Sequence, residues 1–202
     1  MIIIVDYGLG NIGSVSNLLK KIGVQSKITS DINDIALADK LILPGVGSFD
    51  EGVNNLKDSN IWNILNKKVT EEKVPILGIC LGMQLLTNGS EEGKLGGFGW
   101  IDAYTYKFDF PNLNLKIPHM GWNEINKCMP HKFLYDVDSD SRYYYVHSYY
   151  VKCKNRENVL ATCSYGINFD SIIYTDNIYG VQFHPEKSHK FGMKILENFS
   201  KI

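Results

Sequence analysis

The chain is predicted to be an α/β protein, with a mostly parallel sheet flanked by helices and additional antiparallel strands in the C-terminal half. Three observations predict it. Short apolar runs (Ile2 to Val5, Lys40 to Leu43, Ile76 to Ile79) alternate with amphipathic stretches in the first half, as strands buried on both faces alternate with crossover helices. From Gly99 to Tyr179 the sequence turns to Tyr, Phe, Val and Ile in short runs broken by Asn, Asp and Gly, which is the composition of antiparallel strands. The chemically notable residues fall where apolar runs end, and open α/β sheets place their sites at the carboxyl ends of strands.

Taken in order, Ile2 to Val5 reads as a strand, and Ser14 to Ile22 as a helix with Val15, Leu18, Leu19 and Ile22 on one face. Lys40 to Leu43 is a second buried strand. Helices are expected from Phe49 to Leu56 and from Ile61 to Glu72. Pro75 then opens Ile76-Leu77-Gly78-Ile79, a third buried strand leading into Cys80. In the second half the clearest strands are Tyr143 to Val146, Val159 to Thr162, Ile172 to Thr175 and Ile178 to Phe183. A closing helix runs from Ser188 to Phe199, with Ser188 as its N-cap. No repeat, low-complexity tract or linker interrupts the chain. Residues 1–202 read as one domain, in keeping with roughly 150 residues per domain.

Hydrophobic residues at 44% and charged residues at 21% match an ordinary globular protein and exclude disordered, collagenous and disulfide-dense classes. A formal net charge of −1 supplies no basic excess for nucleic-acid binding. Met1 to Asp6 has no basic segment ahead of its apolar run, so it reads as a strand and not a signal peptide. No stretch approaches the roughly 18 apolar residues of a membrane span. Cys80, Cys128, Cys153 and Cys163 form no CxxC pair, which favours reduced thiols in the cytoplasm. Neither a metal nor a cofactor is called for.

The most informative segment is Pro75 to Gln84, where an apolar strand ends in Gly78-Ile79-Cys80-Leu81-Gly82 and a helix begins. The spacing is that of a nucleophile elbow with Cys in place of Ser. A helix N-terminus behind the sulfur favours thiolate, the form that attacks, and the amide of Leu81 is placed to serve an oxyanion. A GxCxG pattern alone is also met where a buried cysteine merely packs. A second segment separates the two readings. Tyr179 to Lys187 delivers His184 at the end of an apolar strand, and Pro185 bends the chain so that Glu186 projects to the same side. A Cys–His pair needs a third group to orient the imidazole, and such residues meet in the fold and not in sequence. A third segment, Leu43-Pro44-Gly45-Val46-Gly47-Ser48-Phe49, follows a strand and leaves backbone amides free for a second oxyanion donor.

With LGICLGMQ at 77 to 84 and GVQFHPEKS at 180 to 188, the chain resembles the class I, or triad, glutamine amidotransferases. MIIIVDYGLGNIGSV at the start, LPGVGSFDEG at 43 to 52, SEEG at 90 to 93, PHMGWN at 118 to 123 and VHSYYV at 146 to 151 narrow the resemblance to the glutaminase subunits of imidazole glycerol phosphate synthases. The resemblance implies a flavodoxin-like fold and a glutaminase that hydrolyses L-glutamine to glutamate and ammonia. Cys80 would be the nucleophile, His184 the acid and base, and Glu186 its orienter. Val46, Gly47 and Leu81 would form the oxyanion hole, and Gly47, Gln84, His147, Ser148 and Tyr149 would grip glutamine. It also implies a heterodimer with a cyclase subunit, docked through Asn11, Pro118, Met120, Trp122 and Lys187, with ammonia passing between the two. Activity of the isolated glutaminase is expected to be low.

Some features depart from the histidine-pathway pattern. Ile12-Gly13 stands where a leucine and an arginine are usual, and Thr87-Asn88-Gly89 replaces a bulkier, acidic stretch. The runs LGGFGWIDA at 95 to 103 and EKSHKFGM at 186 to 193 are similar to a paralogous branch that supplies ammonia for amidination of an acetamido sugar in surface-polysaccharide synthesis. Two further readings belong to other classes. Gly8 to Gly13 satisfies GxGxxG after a strand, with Asp31 placed as a ribose-binding acid, and points to a dinucleotide-binding protein. A non-catalytic docking subunit would have no need of Cys80, His184 and Glu186 together. A cysteine peptidase would use the same three.

Overall fold

The computed structural model describes residues 1–111 and 114–202. The chain runs β1 (Ile2–Val5), α1 (Ile12–Lys21), β2 (Ser26–Thr29), α2 (Ile32–Ala36), β3 (Lys40–Leu43), α3 (Phe49–Asp58), α4 (Ile61–Asn66), β4 (Ile76–Ile79) and α5 (Leu81–Leu85). It continues through β5 (Ala103–Lys107), β6 (His119–Glu124), β7 (Asn126–Lys127), β8 (Arg142–His147), β9 (Tyr149–Cys153), β10 (Val159–Tyr165), β11 (Ile167–Thr175) and β12 (Ile178–Val181), and closes with α6 (His189–Ser200).

Eight strands form one sheet in the order β2-β1-β3-β4-β12-β11-β10-β7. From β2 through β12 every pairing is parallel, and from β12 outward every pairing is antiparallel. The predicted fold class is therefore found, with β12 taking the fifth place of a doubly wound sheet. Its carboxyl edge gathers the ends of β1, β3, β4 and β12, where ligands of such sheets bind. Two antiparallel ribbons, β5–β9 and β6–β8, stand apart from the main sheet.

Because strand side chains alternate, the apolar runs feed two separate cores. Ile2 and Ile4 pack with Val15, Leu18 and Leu19 of α1 and with Ile195, Leu196 and Phe199 of α6. Ile3 and Val5 face the other way, onto Phe49, Val53 and Leu56 of α3 and Ile61 and Leu65 of α4. Every residue of β1, β4 and β12 is buried, which explains why these strands read as continuous apolar runs.

Four expectations are corrected. The helix expected to Glu72 widens into a π turn over Lys67–Glu71, where the buried ammonium of Lys68 donates to the Ala36 carbonyl and to Glu72, at 2.8 and 2.7 Å. The strand expected to reach Phe183 ends at Val181, because the backbone then turns away to carry His184 to the Tyr144 carbonyl, a bond of 2.9 Å. Ser188 holds the N-cap position of α6 but makes no side-chain cap. Its hydroxyl donates to the His184 carbonyl at 2.6 Å and accepts from the Tyr144 amide at 3.0 Å. Asp31, weighed as a ribose acid, caps α2 by accepting from the Asn33 amide at 2.8 Å.

Candidate active site

Cys80 sits at the junction of β4 and α5 with φ +53° and ψ −108°, a backbone region that residues with a Cβ rarely occupy and that carries strain. The surroundings hold it there. The Cys80 amide donates to the Val181 carbonyl at 2.8 Å, and the Cys80 carbonyl accepts from the Gln84 amide at 3.1 Å. The elbow is pressed against the loop after β3. A Cβ on Gly82 would stand 1.8 Å from the Leu43 carbonyl oxygen, and one on Gly45 would stand 2.7 Å from the Gly82 nitrogen. Glycine at both positions lets the Pro44 to Gly47 backbone lie beside the sulfur. The buried Tyr7 hydroxyl fixes that loop from below by donating to the Pro44 carbonyl at 2.6 Å.

The parallel neighbour of β4 is β12, which brings His184 to the elbow. His184 is extended, as a residue before proline should be, and Pro185–Lys187 forms a single 3-10 turn. That turn folds Glu186 back, so that His184 Nδ1 lies 2.8 Å from Glu186 Oε1 with both side chains 2% exposed. The other ring nitrogen, Nε2, is buried without a hydrogen-bond partner among the described residues. Burial pushes the imidazole down, but the neighbouring Cys80, followed by Glu186, outweighs it and raises the ring to about 10. The arrangement favours a proton on His184 beside the Cys80 sulfur.

A cavity of about 230 Å³ opens over the sulfur. It brings together Val46, Gly47, Cys80, Leu81, Gln84, His147, Ser148 and Tyr149, all expected in the site from the sequence, adds Glu92 and Val146, and takes in Pro118, which was expected on the docking face. Two contributors were missed. Gln182, fully buried, donates from Nε2 to Cys80 Sγ at 3.6 Å, and its Oε1 accepts from Gln84 Nε2 at 3.4 Å. It stands two residues before His184, and the period of a strand was a signal that could have found it. Glu92 is the one carboxylate lining the cavity among the described residues, and its Oε2 accepts from the Phe49 amide at the start of α3, at 2.9 Å. Burial pushes its carboxyl upward, partly offset by that amide. Only the tertiary structure identifies it, since it lies in the loop between α5 and β5.

The residues assigned to docking lie outside this cavity, Pro118 excepted. Asn11, Met120, Trp122 and Lys187 are exposed and Pro118 is half-buried. Two of them meet at Tyr144: Trp122 approaches its ring edge-on at 5.9 Å, and Lys187 Nζ stands 5.7 Å above it. His189 stacks on Trp122 at 5.4 Å with 7° between planes.

Other places in the molecule do not offer the same chemistry. A larger groove of about 760 Å³ beside Lys127 and Tyr135 holds Cys128 and His131, but His131 Nδ1 is taken by the Phe133 amide at 3.1 Å. In the GxGxxG loop Gly10 is explained by packing, because a Cβ there would meet the Pro44–Gly45 backbone at 3.1 Å, whereas Gly13 has open space around it. No group of three or more metal-ligating side chains is gathered among the described residues, and no helix there is long and apolar enough to cross a membrane.

The chain is similar to known proteins over nearly its whole length. The model of the glutamine amidotransferase class-I family matches residues 3–202. The chain is 57% identical over 201 residues to the imidazole glycerol phosphate synthase subunit HisH 2 of Methanococcus maripaludis, covering 100% of this chain and 99% of that one. It is 45% identical over 202 residues to the protein of the same name from Pseudomonas aeruginosa, covering 100% of both. Among solved structures, a glutamine amidotransferase superposes with a TM-score of 0.77 at 16% identity, covering 100% of each chain. A chain of PurLQS from Thermotoga maritima gives 0.74 at 16% identity, covering 99% of this chain and 97% of that one.

Proposed function

The chain belongs to the class-I glutamine amidotransferase family, and from that premise we propose that it is the glutaminase subunit of an imidazole glycerol phosphate synthase, with its whole length acting as one domain. It hydrolyses L-glutamine to L-glutamate and ammonia and passes the ammonia to a cyclase subunit in histidine biosynthesis. The observation that carries the chemistry is His184, buried with the Glu186 carboxylate at 2.8 Å and brought to Cys80 by the pairing of adjacent parallel strands.

Cys80 attacks the side-chain amide carbon of glutamine. The oxyanion that forms is held by backbone amides of Leu81 and of the Val46–Gly47 loop, which the absence of a Cβ on Gly45 and Gly82 lets approach the elbow. Protonated His184 gives its proton to the departing nitrogen, and ammonia leaves with a thioester on Cys80. Neutral His184 then takes a proton from water, which attacks the thioester and releases glutamate. Glu186 remains ionised, keeping the ring oriented and stabilising its cation. Gln84 and the backbone at Ser148 and Tyr149 hold the substrate, with Gly47 and His147 as further walls of the cavity. Glu92 is the carboxylate available to pair with the α-ammonium of glutamine.

The cyclase docks over Asn11, Pro118, Met120, Trp122 and Lys187, an aromatic and cationic patch next to the cavity mouth. Four free cysteines support a reducing, cytoplasmic setting. A second acceptor, an acetamido sugar, is favoured by the segments at 95 to 103 and 186 to 193 and would use the same glutaminase site.

Labelling by an electrophilic glutamine analogue tests the reading. With the cyclase present, stoichiometric modification of Cys80 is expected, blocked by glutamine and absent in Cys80→Ala. Folded protein in the complex that stays unlabelled at Cys80 would overturn it.

A further inference from the structure

Behind the cavity, β6 and β8 pair in antiparallel register with His119 opposite His147. Both imidazoles are buried, at 3% and 5% exposure. His147 Nδ1 lies 2.7 Å from the Tyr149 carbonyl oxygen, and a carbonyl only accepts, so Nδ1 carries hydrogen. His147 Nε2 lies 3.0 Å from His119 Nδ1. Burial pushes both rings down, His119 to about 4 and His147 to about 3, the latter despite its bond to Tyr149. Both are therefore neutral near pH 7. A neutral His147 with hydrogen on Nδ1 has a lone pair on Nε2, and His119 must be the donor through its own Nδ1–H.

This donor is itself rigidly placed. The His119 ring is stacked against Tyr145 at 4.8 Å and Tyr165 at 4.1 Å, with interplanar angles of 22° and 20°. At the other end of the chain of bonds, the Tyr149 carbonyl also accepts from Gln84 Nε2 at 3.3 Å, and the Ser148 carbonyl accepts from the Phe108 amide at 3.0 Å. His119 donating to His147, and His147 to Tyr149, thus forms one directed line of hydrogen bonds ending on the cavity wall. The next residues along β6 that point outward are Met120 and Trp122, at 61% and 46% exposure.

We propose that His119 is a positioning residue for glutamine: its Nδ1–H, given to His147, holds the Ser148–Tyr149 backbone in the geometry that receives the substrate. His119 does not line the cavity and acts only through His147. The proposal rests on the glutaminase reading above.

Two variants and one measurement on unaltered protein test it, using the full chain with its cyclase partner. His119→Phe keeps a ring to stack on Tyr145 and Tyr165 but removes the donor, leaving His147 Nε2 buried and unpaired. KM for glutamine is expected to rise about tenfold or more with kcat little changed, because the Ser148–Tyr149 backbone, no longer held through His147, must be reordered when glutamine binds. His119→Asn, whose amide nitrogen can replace Nδ1–H, is expected to recover most of that loss. Imidazole 15N shifts of the unaltered protein are expected to show His147 as the Nδ1–H tautomer from pH 6 to pH 8, values chosen roughly to bracket the usual histidine range. An unchanged KM in folded His119→Phe, a His119→Asn variant no better than His119→Phe, or an Nε2–H tautomer at His147 would each overturn the proposal. Unaltered complex that hydrolyses no glutamine would instead overturn the glutaminase reading.

Discussion

His184 Nδ1 and Glu186 Oε1 lie 2.8 Å apart in a pocket that leaves each side chain 2% exposed. Burial alone would push the ring below its ordinary value, yet Cys80 and Glu186 together raise it to about 10. An unfolded histidine titrates near 6.5, so the folded protein holds this proton the more tightly. The resulting stability is present in full below about 6.5 and lost as pH rises through about 10. The stability advantage of the unaltered protein over His184→Asn should therefore shrink between pH 7 and pH 10. Urea midpoints measured across that range check it, and an advantage that grows would contradict it.

The remaining cysteines should be dispensable. Burial pushes the Cys163 thiol up to about 12 and the Cys153 thiol up as well, the latter helped by Asp170, whereas Cys128 is exposed. In native protein near pH 7, iodoacetamide is expected to modify Cys128 and to spare Cys153 and Cys163. Serine at Cys128 should leave glutamine turnover unchanged, and a loss comparable to Cys80→Ala would refute this.

Glycines at two superficially similar motif positions should respond in opposite ways. Gly82→Ala drives a methyl to within 1.8 Å of the Leu43 carbonyl oxygen, which should cost on the order of 4 kcal/mol or more and collapse the elbow. Gly13→Ala meets nothing within 4 Å and lies in α1, where alanine should stabilise by up to about 1 kcal/mol. Thermal melts of the two variants are the measurement, and a destabilised Gly13→Ala would contradict the open surroundings of that position.

Glu92→Gln keeps an oxygen to accept from the Phe49 amide but loses the charge. KM for glutamine should rise by about tenfold or more while kcat changes little, since the contact is made equally before and during the reaction. Steady-state kinetics with glutamine decide it, and a fall in kcat alone would place Glu92 in the chemistry instead.

Trp122 is 46% exposed yet carries an aromatic face among Tyr144, Lys187 and His189. Trp122→Ala should weaken cyclase binding by about 2 kcal/mol, roughly 30-fold, and shift the stability of the free glutaminase by no more than about 0.5 kcal/mol. Calorimetric titration against the cyclase, beside a melt of the free glutaminase, separates the two effects.

The parallel half of the sheet was legible because β1, β3 and β4 have both faces covered, so burial is written into nearly every residue of each strand. β2 escaped notice for the opposite reason. It is an edge strand whose residues are half-covered or exposed, and Ser26 and Lys27 carry no strand signal. The ribbon strands β5, β6 and β9 were hidden by their mixture of polar and aromatic residues, each facing a different neighbour.

The same division runs through the site. Cys80, His184 and Glu186 could be singled out from residue order, because an elbow needs its glycines close by and Pro185 fixes the turn that returns Glu186 to His184. Those are local constraints, and local constraints are visible in sequence. Glu92 on the α3 amide, Gln182 on the sulfur, Ser188 on the His184 carbonyl and His119 on His147 depended on which strands became neighbours. Sequence by itself singled out the candidate nucleophile and the two residues proposed to assist it. The tertiary structure alone decided what surrounds them, since hydrogen bonds between residues tens of positions apart are specified by sheet order and packing, not by spacing along the chain.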